Sequence, residues 1–390
     1  MAAVVQRMIV DVHTHVYLPR YAALLRQRTN IPRIISHQDP KGKTEERLVI
    51  LSDEPAEGRP VGPQYWDRAE KLAFMNKHDI DISVVSTANP WLDFLTPSEA
   101  QGMASELNED LEEYCMSSPI LPDTTFRRMY GFGLVPLVPG AQVTSVVNAV
   151  HQIHALPHLR GVILGTQGLG KGLDDPALDP VWDAVEKAGL VVFIHPHYGV
   201  GGERWVTHGN GHVLPLALGF PFETATAATR LILSGVLDRF PFLRLLLAHS
   251  GGALPALSSR LASCITHDEQ VANRLKHDAR YYLGRLYYDA VAYGPEELGF
   301  LSEVVARVGR YESSTGSTAP PDRNIGTQRI LFGTDNPFFP PANGNGERWR
   351  SVTENTEAID AVPGWTPESK NGVFGANAIA LFNLGGSGRG

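Results

Sequence analysis

Eight short apolar runs recur along this chain, and amphipathic stretches separate them. The runs are RMIVDVHTH, ISVVSTAN, MYGFGLVPL, GVILGTQG, LVVFIHPH, LRLLLAHSGG, LYYDAVA and RILFGTDNPF. Each is rich in β-branched or apolar residues, the signature of strands covered on both faces. The intervening stretches read as helices. WDRAEKLAFMNKHDI carries apolar residues at helical spacing, and TPSEAQGMASELNEDLEEYCMS opens on Thr96, a good N-cap. In DPVWDAVEKAG, Asp179 reads as the cap, Pro180 as the first helical residue and Gly189 as the stop. FETATAATRLILSGVLDRFP reads as one helix ending at a proline. Strand and helix alternating eight times predict an α/β fold, a (β/α)8 TIM barrel. The competing doubly wound sheet usually carries a glycine-rich phosphate loop after its first strand. Here that strand runs into HTHVYLP, which has no such loop.

At 390 residues the chain fits a single barrel domain over 1–384. Residues 30–66 break the alternation: they are polar and proline-rich around an apolar RLVILS. They predict a small insertion after strand one, with a hairpin over the site. Residues 311–328 read as a loose surface loop, and GGSGRG at 385–390 as a flexible tail. A formal charge of −8 without a basic stripe argues against nucleic acid as a partner. Cys115 and Cys264, the only cysteines, form no CxxC pattern and read as ordinary, partly buried residues. No apolar run is long enough for a bilayer, and the N-terminus lacks the marks of a signal peptide, so no membrane partner and a cytoplasmic location are expected.

In such a barrel, chemistry sits at the C-terminal ends of the strands. Strand one ends with His13 and His15, strand two with Asn89, strand five with His195 and His197, strand six with His249 and strand eight with Asp335. One histidine at a strand end is ordinarily structural. Two at i and i+2 share a face and can grip one divalent ion. The plain alternative for HTH is that both rings cap loops through backbone hydrogen bonds. A third imidazole and a carboxylate complete a four-residue set of His13, His15, His195 and Asp335. His195 is preferred to His197 because it continues the strand directly, whereas His197 follows a proline. Three imidazoles and a carboxylate suit Zn²⁺, with Mn²⁺ or Fe²⁺ as alternatives. Asp335 can also hold and transfer a proton, and His249 can tune it. The plain alternative for His249 is support of the HSGG loop.

These motifs resemble the amidohydrolase superfamily. DVHTH, IHPH, LLLAHSGG and LFGTDNPFFPP follow in order over about residues 8–383, as in its aminocarboxymuconate-semialdehyde decarboxylase-like (amidohydrolase 2) branch. Longer phrases are similar to the fungal uracil-5-carboxylate (isoorotate) decarboxylases: ANPWLDFL, GVILGTQGLGKGLDDP, HPHYG, GHVLPLALGFPFET, AHSGGALP and YYDAVAYG. The resemblance implies that His13, His15, His195 and Asp335 bind the metal, that Asp335 delivers a proton to carbon, and that His249 assists. It implies that Asn89, Phe220 and Phe338 line the pocket for a flat ring. It also implies that Arg260 contacts a substrate carboxylate, in some members from the neighbouring subunit, and hence a homodimer. Two features depart from the pattern. Asn336 follows Asp335, where related sequences often carry histidine or tyrosine, and the loop before strand eight is long. No lysine is placed for a bridging carbamate, which points to one metal, and Lys171 reads as a loop lysine.

The expected function is metal-dependent nonoxidative decarboxylation of a planar carboxylic acid, first uracil-5-carboxylate to uracil and CO₂, with no organic cofactor. Aminocarboxymuconate semialdehyde and salicylate-type acids such as 6-methylsalicylate and 2,6-dihydroxybenzoate are the alternatives. A metal-dependent hydrolase, a lactonase or amidase, is the second class, because the same ligands can activate water.

Overall fold

The computed structural model describes residues 7–38, 42, 44–50, 58–198, 212–312, 322–341 and 348–385. The eight expected strands are present: β1 (Val10–Val16), β5 (Ile82–Thr87), β6 (Met129–Leu134), β7 (Leu159–Leu164), β8 (Val191–Ile194), β9 (Arg244–Leu247), β10 (Tyr287–Asp289) and β11 (Ile330–Leu331). They pair in that order, all in parallel. The last strand returns to the first. The Val12 amide donates to Phe332 O at 3.0 Å, Asp335 N–H to His13 O at 2.7 Å and His15 N–H to Asn336 O at 2.7 Å. Eight parallel strands ringed by helices make this a (β/α)8 barrel. Both faces of every interior strand are covered, which explains the unbroken apolar runs. Val191 and Phe193 belong to the core inside the barrel, and Val192 and Ile194 to the core under the helices.

The insertion is more than a hairpin. β2 (Arg33–Gln38), β3 (Thr44–Val49) and β4 (Arg59–Val61) form a separate three-stranded antiparallel sheet. Residues 313–321 of the loop expected at 311–328, and all of the tail beyond Gly385, lie outside the described residues; the end of that expected loop is instead a helix, Arg323–Gln328, capped by Asp322.

The helix boundaries differ from expectation at two points. Thr96 does cap Pro97–Met116, within a full capping box with Glu99. Asp179 is not a cap but the first helical residue of Asp179–Ala188; Asp175 caps the short 3₁₀ turn before it. The stretch read as one helix over 222–241 is two, Phe220–Leu233 and Val236–Arg239, because Gly235 takes a left-handed φ of 72°. Cys115 is buried, but Cys264 is exposed, contrary to the sequence reading. No helix among the described residues is long and apolar enough to cross a membrane.

Strand-to-strand contact inside the barrel leaves one position where only glycine fits. A Cβ on Gly161 of β7 would lie 2.3 Å from Val191 O and 2.7 Å from the Phe132 ring. Backbone cannot yield as a side-chain tip can, so Gly161→Ala should destabilise the fold by about 1–3 kcal/mol, the usual cost of overpacking. Urea unfolding followed by circular dichroism measures this.

Candidate active site

Four side chains converge at the C-terminal mouth of the barrel. His13, His15, His195 and Asp335 are buried, and one ligand atom from each lies within 4.8 Å of the others. His13 and His15 come from β1, whose pairing with β5 shifts register between Asp11 and Thr14. Such irregularities re-aim side chains, and this one includes His13, while His15 resumes regular pairing with Ser86. His195 follows β8 directly. Asp335 follows β11 with a left-handed φ of 56°, uncommon for a residue with a Cβ and frequent at functional sites.

The nitrogens facing away from the cluster are all engaged. His13 Nδ1 lies 2.6 Å from Asp289 Oδ2, His15 Nδ1 is 3.0 Å from Ser86 Oγ, and His195 Nδ1 is 2.8 Å from Pro196 O. Each contact fixes a ring so that Nε2 points inward, the arrangement of a ligating histidine. His13 Nε2 and His15 Nε2 are buried without a well-directed hydrogen bond. Their nearest acceptor is Asp335 Oδ1, at 3.2 and 3.4 Å. Orphaned buried nitrogens converging on a carboxylate fit a divalent metal ion.

The charges support this. Burial alone would lower the pKa of His13, but the Asp335 and Asp289 carboxylates override it and raise it to about 10. Burial lowers His15 to about 4 and holds His195 well below the usual histidine range. Burial would raise Asp335, yet His13 and its hydrogen-bonding neighbours hold it well below the carboxylate range. Two carboxylates thus draw positive charge to this cluster, as they would a bound cation.

The other expected residues divide. His249 follows β9 with a φ of 53°; its ring lies 5.1 Å from His13, and its Nε2 is 3.8 Å from Asp335 Oδ2. Phe338 lies 5.5 Å from His15, and Phe220 lies 6.3 Å from His195 and 6.2 Å from His249, so aromatic rings flank the cluster on two sides. Asn89 is buried at the mouth, but its side-chain amide is committed to His197 O at 2.5 Å. Arg260 is not brought to the cluster: it is exposed on the helix Leu254–Thr266. His197 lies against Trp91 and Asp93 instead of the metal ligands.

Three residues went unread in the sequence. Asp289 ends the seventh strand, LYYDAVA, and accepts from the backbone N–H groups of His249, Ser250 and Val291 at 2.9, 2.8 and 3.1 Å besides holding His13. The signal was available: a carboxylate in an apolar run at the active end of a strand. Lys71 is 1% exposed, and its ammonium donates to Thr14 Oγ1 and, at 2.6 Å, to Asn336 Oδ1. It bridges the two ligand-bearing strand ends and gives Asn336 its partner. Arg59, on β4 of the insertion, lies 5.2 Å over the Phe338 ring. Nothing in the local sequence announced that.

A family model described as amidohydrolase matches residues 10–384. The crystal structure of Metarhizium anisopliae IDCase in apo form is 37% identical, with a TM-score of 0.83 over 97% of this chain and 98% of that one. The 2-amino-3-carboxymuconate-6-semialdehyde decarboxylase of Dictyostelium discoideum is 26% identical over 96% of this chain and 91% of its own length. The gamma-resorcylate decarboxylase of a Rhizobium species is 27% identical over 81% and 87%. A barrel carrying this four-residue metal set defines a metal-dependent enzyme of the amidohydrolase type. The chain belongs to the amidohydrolase family.

Two outcomes follow from the geometry. His13 ligates only after losing a proton it holds up to about pH 10, while burial lowers His15 to about 4 and His195 well below the usual histidine range. Metal affinity should therefore tighten about tenfold per pH unit between pH 6 and 8, one proton leaving per ion, as competition titration with a chromophoric chelator would show. Asp289→Asn should weaken metal binding about 10- to 100-fold, the usual effect of losing a carboxylate behind a ligating histidine. Unchanged affinity in the same titration would remove Asp289 from the site.

Proposed function

We propose that this chain is a metal-dependent nonoxidative decarboxylase, a carbon–carbon lyase, and that its substrate is uracil-5-carboxylate. The observation that carries this reading is the placement of Asp335, against both histidines of β1 and in a cluster flanked by Phe220 and Phe338. Loss of CO₂ from an sp² ring carbon would leave an unstabilised carbanion. Protonating that carbon first makes it sp³, and the carbon–carbon bond then breaks as its electrons return to the ring. The site must therefore hold an acid facing the carbon and must grip the carboxylate.

His13, His15, His195 and Asp335 would hold the ion. When bound, a divalent metal, which for three imidazoles and a carboxylate we take to be Zn²⁺ with Mn²⁺ as the alternative, supplies a template and Lewis acid for the carboxylate and a neighbouring ring oxygen. Asp335, ionised in the resting site, first takes up a proton and then delivers it to the ring carbon. His249, 3.8 Å away, is placed to return one to it. Phe220 and Phe338 clamp the flat ring and exclude water, which strengthens every polar contact there. Arg59, over the Phe338 ring, contributes positive charge for an anionic substrate from within the same protomer. Arg260 stays exposed in its own chain, and we assign it to the site of a second copy, which makes the active form a homodimer.

The test is a panel of uracil-5-carboxylate, 2,6-dihydroxybenzoate, 6-methylsalicylate, aminocarboxymuconate semialdehyde and a simple lactone, offered to the metal-loaded protein with CO₂ release and ring opening both followed. Uracil-5-carboxylate should give the highest kcat/KM. Lactone opening without CO₂ release would instead make the chain a hydrolase. Asp335→Asn should lower kcat by about 10²–10⁴-fold with the fold intact by circular dichroism. Near-normal turnover would end its role as the acid.

A further inference from the structure

A second cavity opens at the same end of the barrel, over β5, β6 and β7, and the reaction above makes no use of it. Its volume is about 180 Å³, and Trp91, Asp93, Val135, Leu164, Gly165 and His197 are among its walls. None of the four metal-site residues lines it. The Trp91 ring stands between the two spaces, edge-on to His197 at 4.7 Å and to His195 at 6.0 Å. Gly165 keeps that partition in place, since a Cβ there would lie 2.5 Å from both His197 Nδ1 and the Trp91 ring.

The cavity is mostly apolar with one polar corner. His197 is 4% exposed, and its Nε2 lies 3.0 Å from Asp93 Oδ2, to which the Tyr198 hydroxyl also donates at 3.2 Å. Three buried atoms there have no hydrogen-bond partner among the described residues, both ring nitrogens of His197 and Asp93 Oδ1. Burial would raise the Asp93 pKa, but its close neighbour His197 holds the carboxyl below its ordinary value, so Asp93 meets the cavity as a carboxylate. Among the described residues neither lysine nor arginine lines the cavity.

We propose that this cavity is a binding subsite for an uncharged, flat ring bearing an O–H or N–H donor, separate from the metal cluster. Such a donor would satisfy Asp93 Oδ1, and the ring would lie among the apolar walls. A carboxylated ring is turned away because it would bring a second anion against Asp93 in a half-buried space. Resting on the decarboxylase reading, the occupant is the product: decarboxylation removes the charge that binds the ring at the metal and leaves a neutral ring with its donors. The subsite thus sorts product from substrate by charge.

The experiment uses the metal-loaded full chain with its metal positions saturated by oxalate, and calorimetry with resorcinol, uracil and benzoate as probes. Resorcinol and uracil should still bind, each with a Kd within about threefold of its value without oxalate, and benzoate at least about tenfold more weakly. Val135→Trp, which fills the cavity, should weaken resorcinol binding about tenfold or more, and Asp93→Asn should bring benzoate to within about threefold of resorcinol. Both variants are first checked for an unchanged Tm; if one unfolds, the comparison among the three probes on the unaltered chain still decides. Loss of resorcinol binding when oxalate is added, or benzoate binding as tightly as resorcinol, overturns the proposal. No turnover is read, so a chain that decarboxylates none of the acids but holds resorcinol beside oxalate refutes the reaction and supports the subsite.

Discussion

The active end of this barrel is organised around one buried imidazole held between two carboxylates. His13 receives Asp289 at 2.6 Å on one nitrogen and faces Asp335 at 3.2 Å on the other. Those partners belong to strands seven and eight, and His13 to strand one. The contacts therefore cross the seam where the barrel closes, beside the backbone bonds from Val12 and Asp335. A buried carboxylate is tolerable only with a partner, and each of these is paired through the same ring. Asp289 does more than orient His13. By accepting the His249 and Ser250 amides it fixes the turn on which both residues adopt positive φ, and that turn brings the His249 ring to the cluster.

Around this centre lies a second tier of buried charge. Asp11 accepts from Thr334 Oγ1 at 2.7 Å, and Lys71 donates to Thr14 and Asn336. Burial raises Asp11 to about 6 and lowers Lys71 to about 8, while their mutual attraction opposes both shifts. At neutral pH both remain charged and compensate each other. Together these contacts tie strand one, the end of strand eight and the helix Arg68–Lys77 to one another. Asn336 Oδ1 and Thr14 Oγ1 are the acceptors for the buried ammonium.

What could be read from the sequence follows from how local each cause was. The barrel was legible because each strand carries its own evidence: a short run apolar on both faces. The metal set was legible because its residues terminate those runs, where the fold collects them. Asp289 ends a run in the same way and was passed over because a single aspartate draws less attention than HTH. Lys71 could not be read as buried, since a lysine in an amphipathic helix ordinarily faces water and only tertiary packing turned it inward. Arg59 depends on the path of a whole inserted sheet. The helix over 222–241 was joined by its apolar spacing, and Gly235 divided it through backbone conformation that spacing does not report.

The charge pattern at the barrel mouth distinguishes its two spaces. The metal cluster has inward-facing imidazole nitrogens, a carboxylate and Arg59 at its edge, so it favours an anion together with a cation that chelates it. The neighbouring cavity presents Asp93, with no lysine or arginine among the described residues of its lining, and favours an uncharged ring. Trp91 separates them, and its indole is held by Thr87 O at 2.9 Å at the end of β5. Reaction at the first space converts a ligand suited to it into one suited to the second. A single change, loss of a carboxylate, thus reverses the preference between two spaces that share one wall, and no movement of the scaffold is needed for that reversal.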